Sequence, residues 1–329
     1  MEFTQIPVLS EDVSRVALGT WAIGGWMWGG TDEEKSIQTI HAALDKGINI
    51  IDTAPVYGFG CSEEITGKAL AQDNKRKDVV LATKAGIEWI AEENKVWRNA
   101  SQQRIVKEVE DSLKRLQTDV IDVYQIHWPD PNVPMEETAT IMDTLLRQGK
   151  IRAIGVSNFS PEQMEAFKKV TDLHTCQPPY NIFEREIEKD VLPYCQQNNI
   201  KTLTYGALCR GLLSGKMSPD SSFSGDDLRN VDPKFSEPRF SQYLEAVKAL
   251  REFSRDRFSK DVIHLSVRFI LDKGVDVALW GGRRPEQMDA LDEVFGWQLS
   301  DDDLQAIDQI LNEYITDPVG PEFMAPPAG

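Results

Sequence analysis

Histidine and cysteine are both scarce in this chain, with four of each among 329 residues. Cys61, Cys176, Cys195 and Cys209 form no CxxC pair, and His41, His127, His174 and His264 form no HxH pair. Neither a disulfide framework nor a clustered metal site is therefore built into the spacing. This sets aside a metal-dependent hydrolase and predicts reduced thiols in a cytoplasmic protein. Long apolar runs are missing too: none approaches the roughly 20 residues of a spanning helix, and the opening MEFTQIPVLSEDVSR lacks the basic and apolar regions of a secretory signal. Basic charge is in deficit, 36 Lys and Arg against 53 Asp and Glu, for a net charge of -17. Such a surface repels nucleic acid and anionic lipid, so neither is an expected partner. The glycine fingerprint GxGxxG does not follow the first apolar run, which argues against an open dinucleotide-binding sheet.

What is present is an alternation. Short apolar runs at 15–18, 48–51, 79–83, 121–126, 153–156, 175–177, 202–205 and 275–279 read as strands, and amphipathic stretches at 32–46, 62–71, 101–116, 135–147, 161–170, 187–198 and 261–273 read as the helices between them. Thr31 with Glu34, and Ser160 before Pro161, are helix-start chemistry, while Gly47, Gly149 and Gly274 stand where helices stop. Eight strands alternating with helices predict an α/β fold, a single (β/α)8 barrel over 1–329, with reacting groups on the loops after the strands. Further helices are expected at 243–257 and 300–314. The connection 206–242, rich in Gly, Ser, Asp and Pro, is too long for a simple turn and is expected to fold over a ligand. The proline-rich segment 315–329 is expected over the barrel mouth or on a neighbouring subunit, and a homo-oligomer is compatible with this without following from it.

Asp52, Tyr57, Lys84 and His127 lie at or just past the ends of the second, third and fourth runs, which puts all four on one rim. A free tyrosine keeps its proton up to a pKa of about 10, so it is a weak acid catalyst until a cation and a hydrogen-bond network assist it. Lysine, aspartate and histidine suit that task. Singly each has an ordinary structural explanation; together they read as a proton-donating site.

An ordered set of motifs extends this reading: GTWAIGG at 19–25, IDTAPVYG at 51–58, TK at 83–84, QIHWPD at 125–130, IGVSNF at 154–159, YGALCRGLLSGKM at 205–217 and GGRRPEQ at 281–287. From residue 15 onward the chain resembles the aldo-keto reductases, and its last two motifs with DPVGPEFMAPP resemble a bacterial subgroup of NADPH-dependent general stress reductases. The resemblance implies reduction of a small-molecule carbonyl, an aldehyde, ketone or aldose, by hydride from NADPH. It makes Tyr57 the general acid, with Lys84 lowering the tyrosine pKa, Asp52 holding the lysine and His127 orienting the carbonyl oxygen.

The same resemblance implies a cofactor site residue by residue. Gly19, Thr20 and Trp21 follow the first strand; Ser157, Asn158 and Gln177 would meet the nicotinamide carboxamide; Tyr205 would stack on its ring. Gly206, Leu208, Arg210, Gly211 and Lys216 would belong to a strap over the pyrophosphate, with Arg210 meeting phosphate oxygens. Gly282, Arg283, Arg284 and Gln287 open a helix after the last strand, where guanidinium groups and a helix N-terminus suit a 2′-phosphate and so favour NADPH over NADH. Leu291 stands where family members carry an adenine-contacting asparagine. Trp21, Trp26, Trp28, Phe59, Trp89 and Trp128, with Tyr57 and His127, would wall the substrate pocket, and aromatics there suit aldehydes or the carbon faces of sugars. A second reading of the same fold, a catalytically weak NADPH-binding sensor or scaffold, stays open.

Overall fold

The computed structural model describes residues 1–329, apart from the side chain of residue 73. Strands β1 (Phe3–Gln5) and β2 (Asp12–Ser14) form an antiparallel hairpin. Next come β3 (Val16–Gly19), β4 (Ile50–Asp52) and β5 (Val80–Ala85), a second hairpin of β6 (Ile87–Ile90) and β7 (Lys95–Arg98), then β8 (Ile121–Ile126), β9 (Ile151–Ser157), β10 (Thr175–Gln177), β11 (Lys201–Thr204) and β12 (Val277–Gly281). Eight of these close a parallel barrel in the order β10-β11-β12-β3-β4-β5-β8-β9. The expected (β/α)8 barrel is what forms. Both hairpins were absent from the sequence reading.

The helices are α1 (Trp21–Gly24), α2 (Glu33–Asp45), α3 (Cys61–Ala71), α4 (Gln102–Arg115), α5 (Met135–Arg147), α6 (Pro161–Lys168), α7 (Val191–Gln197), α8 (Arg239–Phe258), α9 (Val262–Asp272) and α10 (Asp301–Tyr314). Ser160 and Gln163 make the capping box of α6, with Pro161 in its first turn. Asp32, not Thr31, caps α2 by accepting from the Lys35 amide. Each such cap stabilises its helix by about 1 kcal/mol. After β12 the chain forms a 3-10 helix, Pro285–Glu293, and the expected helix at 187–198 divides into a 3-10 turn, Glu186–Glu188, and α7.

Alternation along the strands sorts the core into two layers. Ala17, Ile50, Val80, Ala82, Val123, Ala153, Leu203 and Val277 fill the barrel interior, where Ile6, Leu9 and Val13 of the first hairpin plug the end at which the strands begin. Leu18, Ile51, Leu81, Tyr124 and Ile154 face outward into the helical layer. Side chains in a strand alternate faces, so the inward set continues two residues on from Ile50 to Asp52, Ala82 to Lys84, Val123 to Gln125 and Leu203 to Tyr205. The same parity that packs the interior with small aliphatics thus delivers polar groups to its open end.

Candidate active site

Parity and register together assemble the polar end of the barrel. Lys84 is paired with Gln125 across β5 and β8, and Ser157 with Gln177 across β9 and β10. Gly155 lies beside Gln125 in register, and a Cβ there would stand 2.7 Å from the Gln125 Cγ and 2.2 Å from the Thr175 hydroxyl, so only glycine leaves room for this layer. Asp52 and Lys84 are the last inward residues of their strands rather than loop residues, which makes them more rigid than a position beyond the strand would. Tyr57 comes from the loop after β4. That loop crosses α1 so closely that a Cβ on Gly58, whose φ is 65°, would overlap the Gly24 carbonyl oxygen at 2.0 Å.

The four rim residues meet. Lys84 Nζ lies 2.5 Å from Asp52 Oδ1, 2.9 Å from the Thr53 carbonyl and 3.3 Å from the Tyr57 hydroxyl. The other Asp52 oxygen accepts from Gln177 Nε2 at 2.8 Å and Gln125 Nε2 at 3.1 Å. The His127 ring stands at 81° to the Tyr57 ring, 5.8 Å between centroids, held through its backbone by Ala85 and Asn158. Lys84 is fully buried and Asp52 nearly so. Burial lowers the lysine pKa against the pull of Asp52. It also lowers His127 well below the usual histidine range, with the Lys84 charge adding to the effect, so the imidazole is neutral. The Tyr57 phenol goes up, through burial first and the Asp52 charge second. Desolvation of tyrosinate is the larger of the two effects. Tyr57 is therefore firmly protonated, the form a proton donor starts from.

The tryptophans gather around this group. Trp21 stacks on Tyr57 at 5.8 Å and meets Trp28 edge-on; Phe59 packs between Trp26 and Trp89; Trp128 joins the same cluster. Trp89 belongs to the β6–β7 hairpin, and the Arg104 guanidinium lies 4.7 Å from its ring. Residues 315–329 end against the same hairpin, where Pro327 accepts from the Arg98 amide, and against the loop after β8, where Gly329 accepts from Asn132.

The expected cofactor residues divide. Asn158 is fully engaged, accepting from the Tyr205 hydroxyl at 2.8 Å and donating to the His127 carbonyl, while Ser157 donates to the Gln177 carbonyl. Gly19 ends β3 and Thr20 follows it, Gly206, Leu208 and Gly211 lie on the connection after β11, and Lys216 is exposed. Arg210 departs from expectation: its guanidinium is buried and donates to Glu184 and Asp232, so it does not face a phosphate. Gln287 accepts from the amides of Arg283 and Arg284 and so shapes their turn beside Gly282. Because the helix there is 3-10, its dipole adds less than an α-helix would.

A cleft of about 280 Å³ opens between the loops after β3 and β12, lined by Gly29, Gly30, Lys35, Arg283 and Arg284 among others. Among the described residues Arg283 and Arg284 make no ion pair, and burial with the nearby charges of Arg284 and Arg229 lowers the Arg283 pKa. Arg229 is paired with Asp227, and Lys35 with Asp32 of the same cleft, so Arg283 and Arg284 are the two cations left to meet a phosphate-bearing ligand. Arg229 was missed in the sequence: it lies in the 206–242 connection with no motif around it, and only the fold brings it to Arg283 and over the Trp28 ring. A larger hollow of about 420 Å³ between α3 and α4 mixes Lys68, Lys114 and Arg115 with Glu64 and Asp111 and contains none of the rim residues.

Residues 15–312 match the Aldo/keto reductase family. The chain is 61% identical over 328 residues to the aldo-keto reductase YhdN of Bacillus subtilis, covering 99% of this chain and 98% of that one. It is 39% identical to the NADH-specific methylglyoxal reductase of Escherichia coli, over 66% of this chain and 71% of that one. The solved structure of glycerol dehydrogenase AKR11B4 from Gluconobacter oxydans superposes with a TM-score of 0.89 at 53% identity, covering 98% and 99% of the two chains. The chain thus belongs to the aldo/keto reductase family of nicotinamide-dependent oxidoreductases.

Proposed function

We propose that this protein reduces aldehyde or ketone carbonyls with NADPH, using Tyr57 as the general acid. The observation that carries the reading is the chain Asp52–Lys84–Tyr57, its first two members buried and its phenol half-buried, with the His127 ring against the same phenol. NADPH, when bound, supplies hydride to the carbonyl carbon. The chain's residues do the rest. Tyr57 donates its proton to the developing alkoxide, and Lys84 at 3.3 Å stabilises the tyrosinate that remains. Asp52 holds the lysine in place, and His127, lacking a charge of its own, is a hydrogen-bond donor to the carbonyl oxygen.

NADPH rather than NADH is supported by the unpaired Arg283 and Arg284, with Arg229 close by. With an NADH-specific relative among the similar proteins, the preference is not fixed by the family alone. Small oxygenated aldehydes or aldoses suit the tryptophan wall, and the names of two relatives, a glycerol dehydrogenase and a methylglyoxal reductase, point the same way. Loss of NADPH absorbance against a panel of aldehydes, ketones and sugars tests the reading. Turnover of small aldehydes supports it; failure on every carbonyl, with NADPH still bound, would replace it with a sensor or scaffold.

A further inference from the structure

The connection after β11 is held by a group of charges that the proposed reaction does not use. Glu184 and Arg210 are nearly inaccessible, and Asp232 and Lys234 almost completely so. Arg210 Nε donates to Asp232 at 2.7 Å, its Nη1 to Glu184 at 3.1 Å, and Lys234 Nζ lies 2.7 Å from Glu184. Two cations face two carboxylates, so the group is neutral as a whole. Against burial, which alone would raise it, Arg210 and Lys234 hold the Glu184 carboxyl at about 2. Glu184 comes from the loop after β10, Arg210 from the start of the connection, and Asp232 and Lys234 from the 3-10 turn Pro233–Phe235 and its cap, 22 residues on (232 against 210), so the contacts tie three separate pieces of chain.

The piece they tie is strained. Cys209, Arg210 and Gly211 have φ of 46°, 52° and 91°, three successive residues in the left-handed region, two of them not glycine. Such backbone persists only where its surroundings over-determine it, and Arg210 is both the strained residue and the pinned one. The 315–329 segment rests on the same group: Lys234 donates to the Gly320 carbonyl at 3.2 Å, and the Phe323 ring lies 5.7 Å from the Arg210 guanidinium.

We propose that Glu184, Arg210, Asp232 and Lys234 form a latch that holds residues 206–215 in their closed shape before any ligand arrives, making Arg210 a positioning residue that sets cofactor residence. The inference rests on the reading of this segment as the strap over a dinucleotide. A buried guanidinium reaches both carboxylates at once through its fork, whereas a lysine ammonium at the same position reaches one.

Arg210→Lys tests this by amide hydrogen exchange on the ligand-free chain and by NADPH displacement followed through cofactor fluorescence. The Gly211 and Leu213 amides, which bond to the Leu208 carbonyl, are expected to exchange about tenfold faster than in the parent, as follows from losing one charge-assisted hydrogen bond. NADPH is expected to dissociate faster by a similar factor. Asp232→Asn, of the same shape, repeats the test if Arg210→Lys fails to fold. Val109→Ala, a core change on α4 beside β5 and across the barrel from β11, supplies a loss of stability without touching the latch and is expected to move neither rate. Unchanged exchange at Gly211 and Leu213 in a folded variant would overturn the latch. Faster exchange with unchanged dissociation would overturn its control of residence. Failure of the parent chain to bind NADPH would remove the cofactor reading instead, and the exchange rates would still decide whether the four charges hold the segment.

Discussion

Lys84 shows how much single side chains decide here. Its ammonium is fully buried and has one charged partner, Asp52, at 2.5 Å. Removing one member of such a pair strands the other charge in a low-dielectric interior, at a cost of about 3–5 kcal/mol. Asp52→Asn is therefore expected to lower stability by about that amount in denaturant unfolding and to leave Lys84 neutral, with carbonyl reduction lost. A variant as stable as the parent would show that the pair contributes nothing beyond its neutral hydrogen bonds. Arg283 presents the opposite case, a cation with no ionic partner among the described residues. Arg283→Ala should raise the KM for NADPH about ten- to a hundredfold, the worth of a charge-assisted phosphate contact, while the KM for NADH stays nearly level. Equal effects on both cofactors would place the 2′-phosphate elsewhere. These residues were legible in the sequence by type and spacing. Their electrostatics were not: the Tyr57 phenol rises because burial removes the water that would solvate tyrosinate, and burial depends on tryptophans from three other loops.

Elements set the precision of the site. β5 carries Lys84 and is gripped on its outer side from two helices: Glu63 of α3 accepts from the Thr83 hydroxyl at 2.6 Å, and Glu108 of α4 accepts from the Gly86 amide at 2.7 Å. Both carboxylates are buried, and Glu108 is pushed up to about 7 by burial, against the opposing pull of Arg104. A folded-state pKa above the unfolded value means the folded chain binds this proton more tightly. The stabilisation is complete below the unfolded value of about 4.5 and is lost as pH rises to about 7 and beyond. Glu108→Gln should accordingly show a smaller fall in thermal midpoint than the parent between pH 5 and pH 8. A parallel fall in both proteins would rule out Glu108 as the source. The eight strands were readable because each is a short apolar run bounded by a helix signal. The β6–β7 hairpin escaped because IEWI and KVWR mix charge with aromatics and show no clean alternation, and because only four residues (91–94) separate the two strands. After β12 the chain forms a 3-10 helix, opened by Gln287 folding back on the Arg283 and Arg284 amides.

At the scale of the whole molecule, the barrel order places β11 and β5 four positions apart of eight, on opposite sides of the ring. Residues 315–329 join those sides, from Lys234 and Arg210 near the connection after β11 to Arg98 on the hairpin after β5. Composition indicated a non-helical segment with apolar anchors; its path depended on contacts more than 200 residues apart, Pro326 to Arg98 for example, which no local pattern encodes. The connection after β11, the tryptophan cluster and the covering segment are thus one connected assembly around the Asp52–Lys84–Tyr57 chain. The central claim is that Tyr57 supplies the proton in a nicotinamide-dependent carbonyl reduction, and Tyr57→Phe tests it most directly, because it removes one hydroxyl from a ring otherwise fixed by Trp21 and His127. NADPH consumption with a small aldehyde should fall by about 10²–10⁴-fold while NADPH binding, read by fluorescence, is kept; a rate within about threefold of the parent, far short of a general acid's contribution, would contradict the account.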